Sequence, residues 1–187
     1  LCRSSIMKTE ALERYLNSFA NQVVKEAKIK LASSKGDTAL GNSIRAIVVK
    51  TAQGFDTKFY MEDYGEYLDK GVSGNKNEQS YINTAGEKVK SPHKYTTKGP
   101  PIDILSKWIK RKGITPKGLG RGRDKKTGQF LSGFAYLISR KIKREGIKSL
   151  SFFQKPLGIE YKKLKKGFLT ELKLDIESYL TTYYRPK

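Results

Sequence analysis

The sequence predicts an α+β fold: a small antiparallel β-sheet packed against long N- and C-terminal amphipathic helices, with extended loops between the elements. Three observations lead there. Apolar residues recur every three or four positions near both ends of the chain. Between residues 44 and 61 a β-branched run gives way to strict alternation, and the stretches after it hold long segments with no period.

The first helix is expected from Lys8 to about Ser33, with Leu12, Tyr15, Leu16, Phe19, Val23, Ala27 and Leu31 forming the core stripe. Ser33 to Gly36 ends it, and Asp37-Thr38 caps a short turn into Leu40-Gly-Asn-Ser-Ile44. Ile44 to Thr51 then reads as a strand, with Ile44, Ile47, Val48 and Val49 so continuous that burial on both faces is expected. After the break at Gln53-Gly54, Phe55 to Met61 alternates, placing Asp56, Lys58 and Tyr60 on a wet face. The two strands make a hairpin.

Tyr64-Gly-Glu-Tyr-Leu-Asp-Lys-Gly-Val-Ser-Gly74 follows, too short for an element of its own and rich in residues suited to an interface. Residues 75–101 read as a long insertion loop, with a short strand at Ser80 to Ile82. Pro101 opens a helix lined by Ile102, Leu105, Trp108 and Ile109, with Trp108 expected in the core, and Gly113 ends it. Residues 115–129 form a glycine- and lysine-rich arm.

Phe130 to Arg144 returns to helix through Phe130, Phe134, Leu137, Ile138 and Ile142. Gly146 stops it, an irregular segment carries Phe152 and Phe153, and a last helix runs from about Glu160 to Leu180. Its stripe is Tyr161, Leu164, Phe168, Leu172, Ile176 and Leu180. At 187 residues the chain suits one domain, 1–187, carrying the insertion and the arm.

The formal net charge of +20 points to a polyanion or an acidic protein as partner, and it is unevenly spread. Residues 1–85 carry +2, residues 86–130 carry +10 and residues 131–187 carry +8. Lys117, Arg121, Arg123, Lys125 and Lys126 on the arm are the expected contacts to phosphates or acidic side chains.

One cysteine, Cys2, excludes an intramolecular disulfide, and one histidine, His93, leaves no His/Cys set for structural zinc. Synthesis in a reducing cytoplasm fits that usage. The longest apolar runs, such as Ala46 to Val49, fall far short of the roughly 18 residues that span a bilayer. No secretory h-region is seen, and no membrane partner is expected.

Catalysis finds little support. His93 lies in the basic loop Pro92-His-Lys-Tyr95, which would hold it in water. Asp56-Thr-Lys58, with Glu62, Asp63, Glu66 and Asp69 nearby, resembles the acids and lysine of a metal-dependent nuclease, but so short a pattern is common. The glycines at 118, 120 and 122 follow no strand and lack the lysine-hydroxyl pair of a phosphate-binding loop. No catalytic residue, metal or cofactor is therefore expected. Phe152 and Phe153 suit an anchor to the core or to a neighbouring subunit better than a base-stacking platform.

The order of these blocks is similar to that of the tail-completion and head-to-tail neck proteins of tailed bacteriophages. In that family a leucine-x-x-serine-isoleucine element precedes the first strand, here Leu40, Ser43 and Ile44, which would enter the sheet. A "Y-x-x-Y-x-x-x-G" segment ends the hairpin, here Tyr64, Tyr67 and Gly71. An aromatic stretch before proline-leucine locks the last helix, here Phe153, Pro156 and Leu157. The insertion between Gly74 and Ile102 and the arm from Lys117 to Lys126 depart from the pattern.

The resemblance implies a non-enzymatic virion protein of the neck or tail, made in the host cytoplasm. It would form a ring, a hexamer or dodecamer, joining portal- or adaptor-side proteins to the tail tube around the DNA channel, with non-specific contact to genomic DNA. Tyr64, Tyr67, Gly71, Gly74, Phe152, Phe153 and Pro156 become the expected subunit-interface residues. The glycines would release the variable loop toward a neighbour while the tyrosines hold the stem on the sheet. A free basic nucleic-acid-binding protein is the alternative, ahead of the nuclease.

Overall fold

The computed structural model describes residues 9–35, 38–114 and 133–183. In chain order the elements are α1 (Glu10–Lys35), α2 (Thr38–Ser43), β1 (Arg45–Thr51), β2 (Gly54–Tyr60), α3 (Tyr64–Lys70), β3 (Val72–Ser73), β4 (Ser80–Ile82), β5 (Lys88–Lys90), α4 (Ile102–Arg111), α5 (Gly133–Glu145), β6 (Gly146–Ile147) and α6 (Gln154–Tyr183). The fold is α+β as expected, with long terminal helices and a small antiparallel hairpin. Strands pair two by two: β1 with β2, β3 with β6 and β4 with β5.

The described residues form two compact units, one built from 9–35, 38–65, 82–88 and 150–183, the other from 66–81, 89–114 and 133–149. In the first unit α1 supplies the floor. Its three-and-four spacing puts Leu12, Leu16, Ala20, Val23, Ala27 and Leu31 on one buried face, against α6 and the β1–β2 hairpin. Fully burying a leucine or valine contributes about 1.5–3 kcal/mol, so this one stripe supplies much of the unit's stability. Tyr15 and Phe19 edge the stripe and are half-buried. The Tyr15 ring lies where a Cβ on Gly167 would stand, so the glycine lets α6 approach α1 at that point.

The start of α1 is capped from far away. Ala11 and Leu12 donate their amides to Oδ1 and Oδ2 of Asp175, each at 3.0 Å, satisfying two donors that a helix N-terminus leaves open. Asp175 is buried, and its negative charge sits at the positive end of the helix dipole. Thr9, the residue before α1, has its Oγ1 buried without a hydrogen-bond partner among the described residues.

Leu40 and Ile44 are fully buried, but Leu40 and Ser43 belong to α2 and Ile44 lies just before β1, so none of the three enters the sheet. Ser43 Oγ donates to Leu40 O at 2.8 Å and accepts from Glu62 N at 3.1 Å, tying the end of α2 to the chain leaving β2. The hairpin pairs Arg45 with Tyr60 through Thr51 with Gly54. The expectation that β1 is buried on both faces is wrong: Ile47 and Val49 are exposed, and only Ala46 and Val48 turn inward. Helix α1 covers one face of a two-stranded ribbon, so an unbroken apolar run still alternates between dry and wet. On β2 the expected alternation holds, with Asp56, Lys58 and Tyr60 exposed.

Helix α6 begins at Gln154, six residues before the expected Glu160. Leu157 N donates to Phe153 O at 3.0 Å, and Pro156 sits in the first turn, where a missing N–H costs nothing. Its stripe is less buried than the period implied: Tyr161, Ile176 and Leu180 are exposed, and Leu164, Phe168 and Leu172 half-buried.

The second unit holds α4, α5 and the β3–β6 pair. Lys112 closes α4 and Gly113 follows at φ 62°, the expected stop. No residue of α4 is buried, so Trp108, expected in the core, stands 39% exposed. On α5 the buried residues are Ala135 and Ser139, whereas the expected Leu137 is exposed. Residues 75–101 contain β5 as well as the anticipated β4, so this stretch is less irregular than its composition implied.

Replacing Asp175 by alanine strands two amides, one buried and one part-buried. Urea unfolding should show a loss of about 1–3 kcal/mol, with Asp175→Asn losing less because one acceptor oxygen survives. A loss no larger than that of Glu177→Ala, an exposed acid on the same helix, would refute the long-range cap.

Candidate functional site

Tyr64 to Lys70 forms the helix α3, although the stretch reads as too short for an element of its own. Two local devices start and brace it. Gly65 N donates to Glu62 O at 2.8 Å, and Lys70 Nζ meets Glu66 Oε1 at 2.7 Å across one turn. The Lys70 hydrogen bond, with help from His93, holds the Glu66 carboxyl below its usual range, and Glu66 raises Lys70 in return. A lowered carboxylate supports the fold above its ordinary titration range and gives up that support as pH falls through the lowered value. The effect is small because Glu66 is half exposed.

Gly71 to Gly74 is buried in the second unit, not hinged toward a neighbour. Gly71 adopts φ 73°, and a Cβ there would stand 2.8 Å from both Ile147 O and Ser149 N. At Gly74 the added carbon would run into the Arg144 carbonyl. Between them Val72 pairs with Ile147 and Ser73 with Gly146, and Ser73 also exchanges backbone hydrogen bonds with His93 and Tyr95. Ser149 Oγ donates to Asp69 O at 2.6 Å. Backbone crowds backbone here, which is why glycine stands at both 71 and 74.

Tyr64 and Tyr67 are 41% and 47% exposed. Tyr67 packs on His93 with ring centroids 4.6 Å apart, and His93 Nε2 lies 3.5 Å from Glu66 Oε1. His93 is thus half-buried beside an aromatic and an acid, not held in water. Its position depends on the Ser73 bridge, a contact between distant segments that local composition does not encode.

Phe152, Phe153 and Pro156 are buried in the first unit of their own chain. Phe59 joins Phe19 and Phe153 in edge-to-face contacts at 6.4 and 5.4 Å, so the aromatic block locks α6 to the hairpin and α1. Ser151, beside it, holds φ 43°; its carbonyl accepts from Lys30 Nζ at 2.6 Å and its hydroxyl from Ile82 N at 2.9 Å. The anchor to the core is what the aromatics provide, and their area is not left over for a neighbour.

Lys117, Arg121, Arg123, Lys125 and Lys126 lie outside the described residues. A different basic cluster, passed over in the sequence, is formed in the second unit by an open cleft of about 940 Å³. Lys76, Lys98, Arg140, Lys143 and Arg144 line it, with Tyr136, and among the described residues no acidic side chain does. One wall is the residues 98–102. Ser139 Oγ donates to Pro100 O at 2.7 Å and Lys143 Nζ to Thr97 O at 2.5 Å, fastening that wall to α5. Gly99 permits the approach, since a Cβ would meet Ser139 Oγ at 3.0 Å. At the other end Asn75 N and Lys76 N donate to the carbonyls of Lys143 and Arg144 at 2.9 and 3.0 Å, closing the C-terminus of α5.

Gly71→Val should therefore collapse the second unit and not merely impair assembly. Limited proteolysis is expected to cut within 66–149 while the fragment containing α1 resists, and a protease pattern like that of the parent chain would count against the buried crossing. Compared with protein-family models, with curated proteins and with solved structures, the chain matches none.

Proposed function

We propose that this chain is a structural, non-enzymatic subunit of a tailed-bacteriophage neck, a tail-completion or head-to-tail connector protein. It assembles into a ring, a hexamer or dodecamer, joining portal-side proteins to the tail around the DNA channel. Two things support the reading. One is the order of sequence blocks, with Leu40 to Ile44 leading into β1, Tyr64 to Gly71 spanning α3 and Phe153 to Leu157 opening α6.

The observation that carries it is unspent apolar surface. Helix α4 alternates Ile102, Ile104 and Trp108 with Lys107, Lys110 and Arg111, yet buries none of them, and Ile104 is 61% exposed. On α6, Leu169 is 71% exposed, with Leu174, Ile176 and Leu180 also outward, and β1 turns Ile47 and Val49 to solvent. Scattered single residues would need no account, but an amphipathic helix without a buried residue is the usual mark of a surface completed by another chain. In a ring each subunit offers such surfaces to two neighbours.

Multi-angle light scattering of the purified chain is expected to show a closed oligomer, alone or with a portal-side partner, and mass spectrometry should find the chain in purified particles. Ile104→Lys should abolish the oligomer while leaving the subunit's helical signal and melting temperature unchanged. A strictly monomeric chain absent from particles would overturn the proposal.

A further inference from the structure

We propose that the cleft between α5 and residues 98–102 is a binding site for the sugar-phosphate backbone of a nucleic acid, independent of ring assembly. The cations come from three separate segments: Lys76, Lys98, and the α5 group Arg140, Lys143 and Arg144. Cations in the last turn of a helix are expected for the dipole alone, and that explains Lys143 and Arg144. It does not explain Lys76 and Lys98, which other parts of the chain bring to the same opening.

Part of this charge is already engaged. Arg144 pairs with Glu145 at 2.8 Å, and Lys143 holds the Thr97 carbonyl. Among the described residues Lys76, Lys98 and Arg140 make no ion pair, so three positive groups face a cleft without an acid. Concentrating like charges raises the local potential and is tolerated where an anion neutralises it.

The lining favours nucleic acid over an acidic protein. Tyr136 stands 52% exposed one helical turn before Arg140, an aromatic face beside a guanidinium on the same side of α5. A groove of cations following a strand, with an aromatic ring to stack on a base, is the general design of sequence-independent nucleic-acid sites. A protein interface would instead centre on a deep apolar pocket, and the apolar members here, Pro100, Pro101 and Ile102, form one shallow wall.

The test is fluorescence anisotropy of a labelled oligonucleotide across a salt series, single-stranded in one arm and duplex in the other, with the full chain. Lys98→Gln/Arg140→Gln should weaken binding and flatten the log-log salt slope by about 0.9 per lost contact on duplex, or about 0.7 on single strands. Lys58→Gln/Lys166→Gln removes the same charge from the first unit and should leave the slope unchanged. Tyr136→Leu should weaken single-strand binding more than duplex binding if bases stack there; equal effects would assign the site to duplex phosphates.

Equal flattening by both double variants, or by neither, would overturn the site in favour of a diffuse field. Poly-glutamate binding more tightly than either oligonucleotide, and lost in the cleft variant, would overturn nucleic acid as its ligand. Thermal melts verify folding, and Lys98→Gln alone serves if the double variant melts early. A monomeric chain with an intact cleft response would sink the ring and leave this site standing.

Discussion

The first unit depends on the meeting of the two terminal helices, and Asp175 is where that meeting is fixed. Its carboxylate ties the amides of Ala11 and Leu12 from a position more than 160 residues away in sequence. Apolar packing is indifferent to small slips along a helix axis, whereas two hydrogen bonds to one buried carboxylate are not. The bonds set the register in which Tyr15 meets Gly167 and in which the α1 stripe closes over Leu40, Ile44 and Phe152. Burial of the stripe provides the energy; the cap selects one arrangement of it.

The second unit solves a different problem with fewer apolar residues. Val72 is the buried hydrophobe of its β3–β6 crossing, and around it glycines at 71, 74 and 146 bring backbones close enough to bond directly. Order comes from satisfied backbone groups more than from packed side chains, in keeping with a composition of 37% apolar and 30% charged residues. Among the described residues the same economy leaves α4 packed on α5 with Leu105 and Ile109 half-buried and nothing fully buried, and it leaves basic side chains around an open cleft.

Local periodicity was a good guide wherever a single neighbour decides burial. The α1 stripe, the hairpin and the β2 alternation were readable because each repeats a geometric period, 3.6 or 2, against one partner. The same reasoning failed on β1, where an unbroken run implied two covered faces, and on α4, where amphipathicity implied a core that the described chain does not supply. Periodicity states that a face wants cover, and it is silent on whether the chain provides any.

The sequence by itself determined the class of fold, the two long helices, the hairpin, the helix stop at Gly113 and the positive charge concentrated after residue 85. Only the tertiary structure decided that Gly71 to Gly74 is an interior crossing, that His93 lies against Tyr67, that Phe152 and Phe153 belong to the core, and that Lys76, Lys98 and Arg140 share one cleft. The division has one physical reason. Elements form from neighbours three or four residues apart, whereas each of these sites is made by segments tens of residues apart, brought together by hydrogen bonds and close backbone approach that leave no period in the sequence.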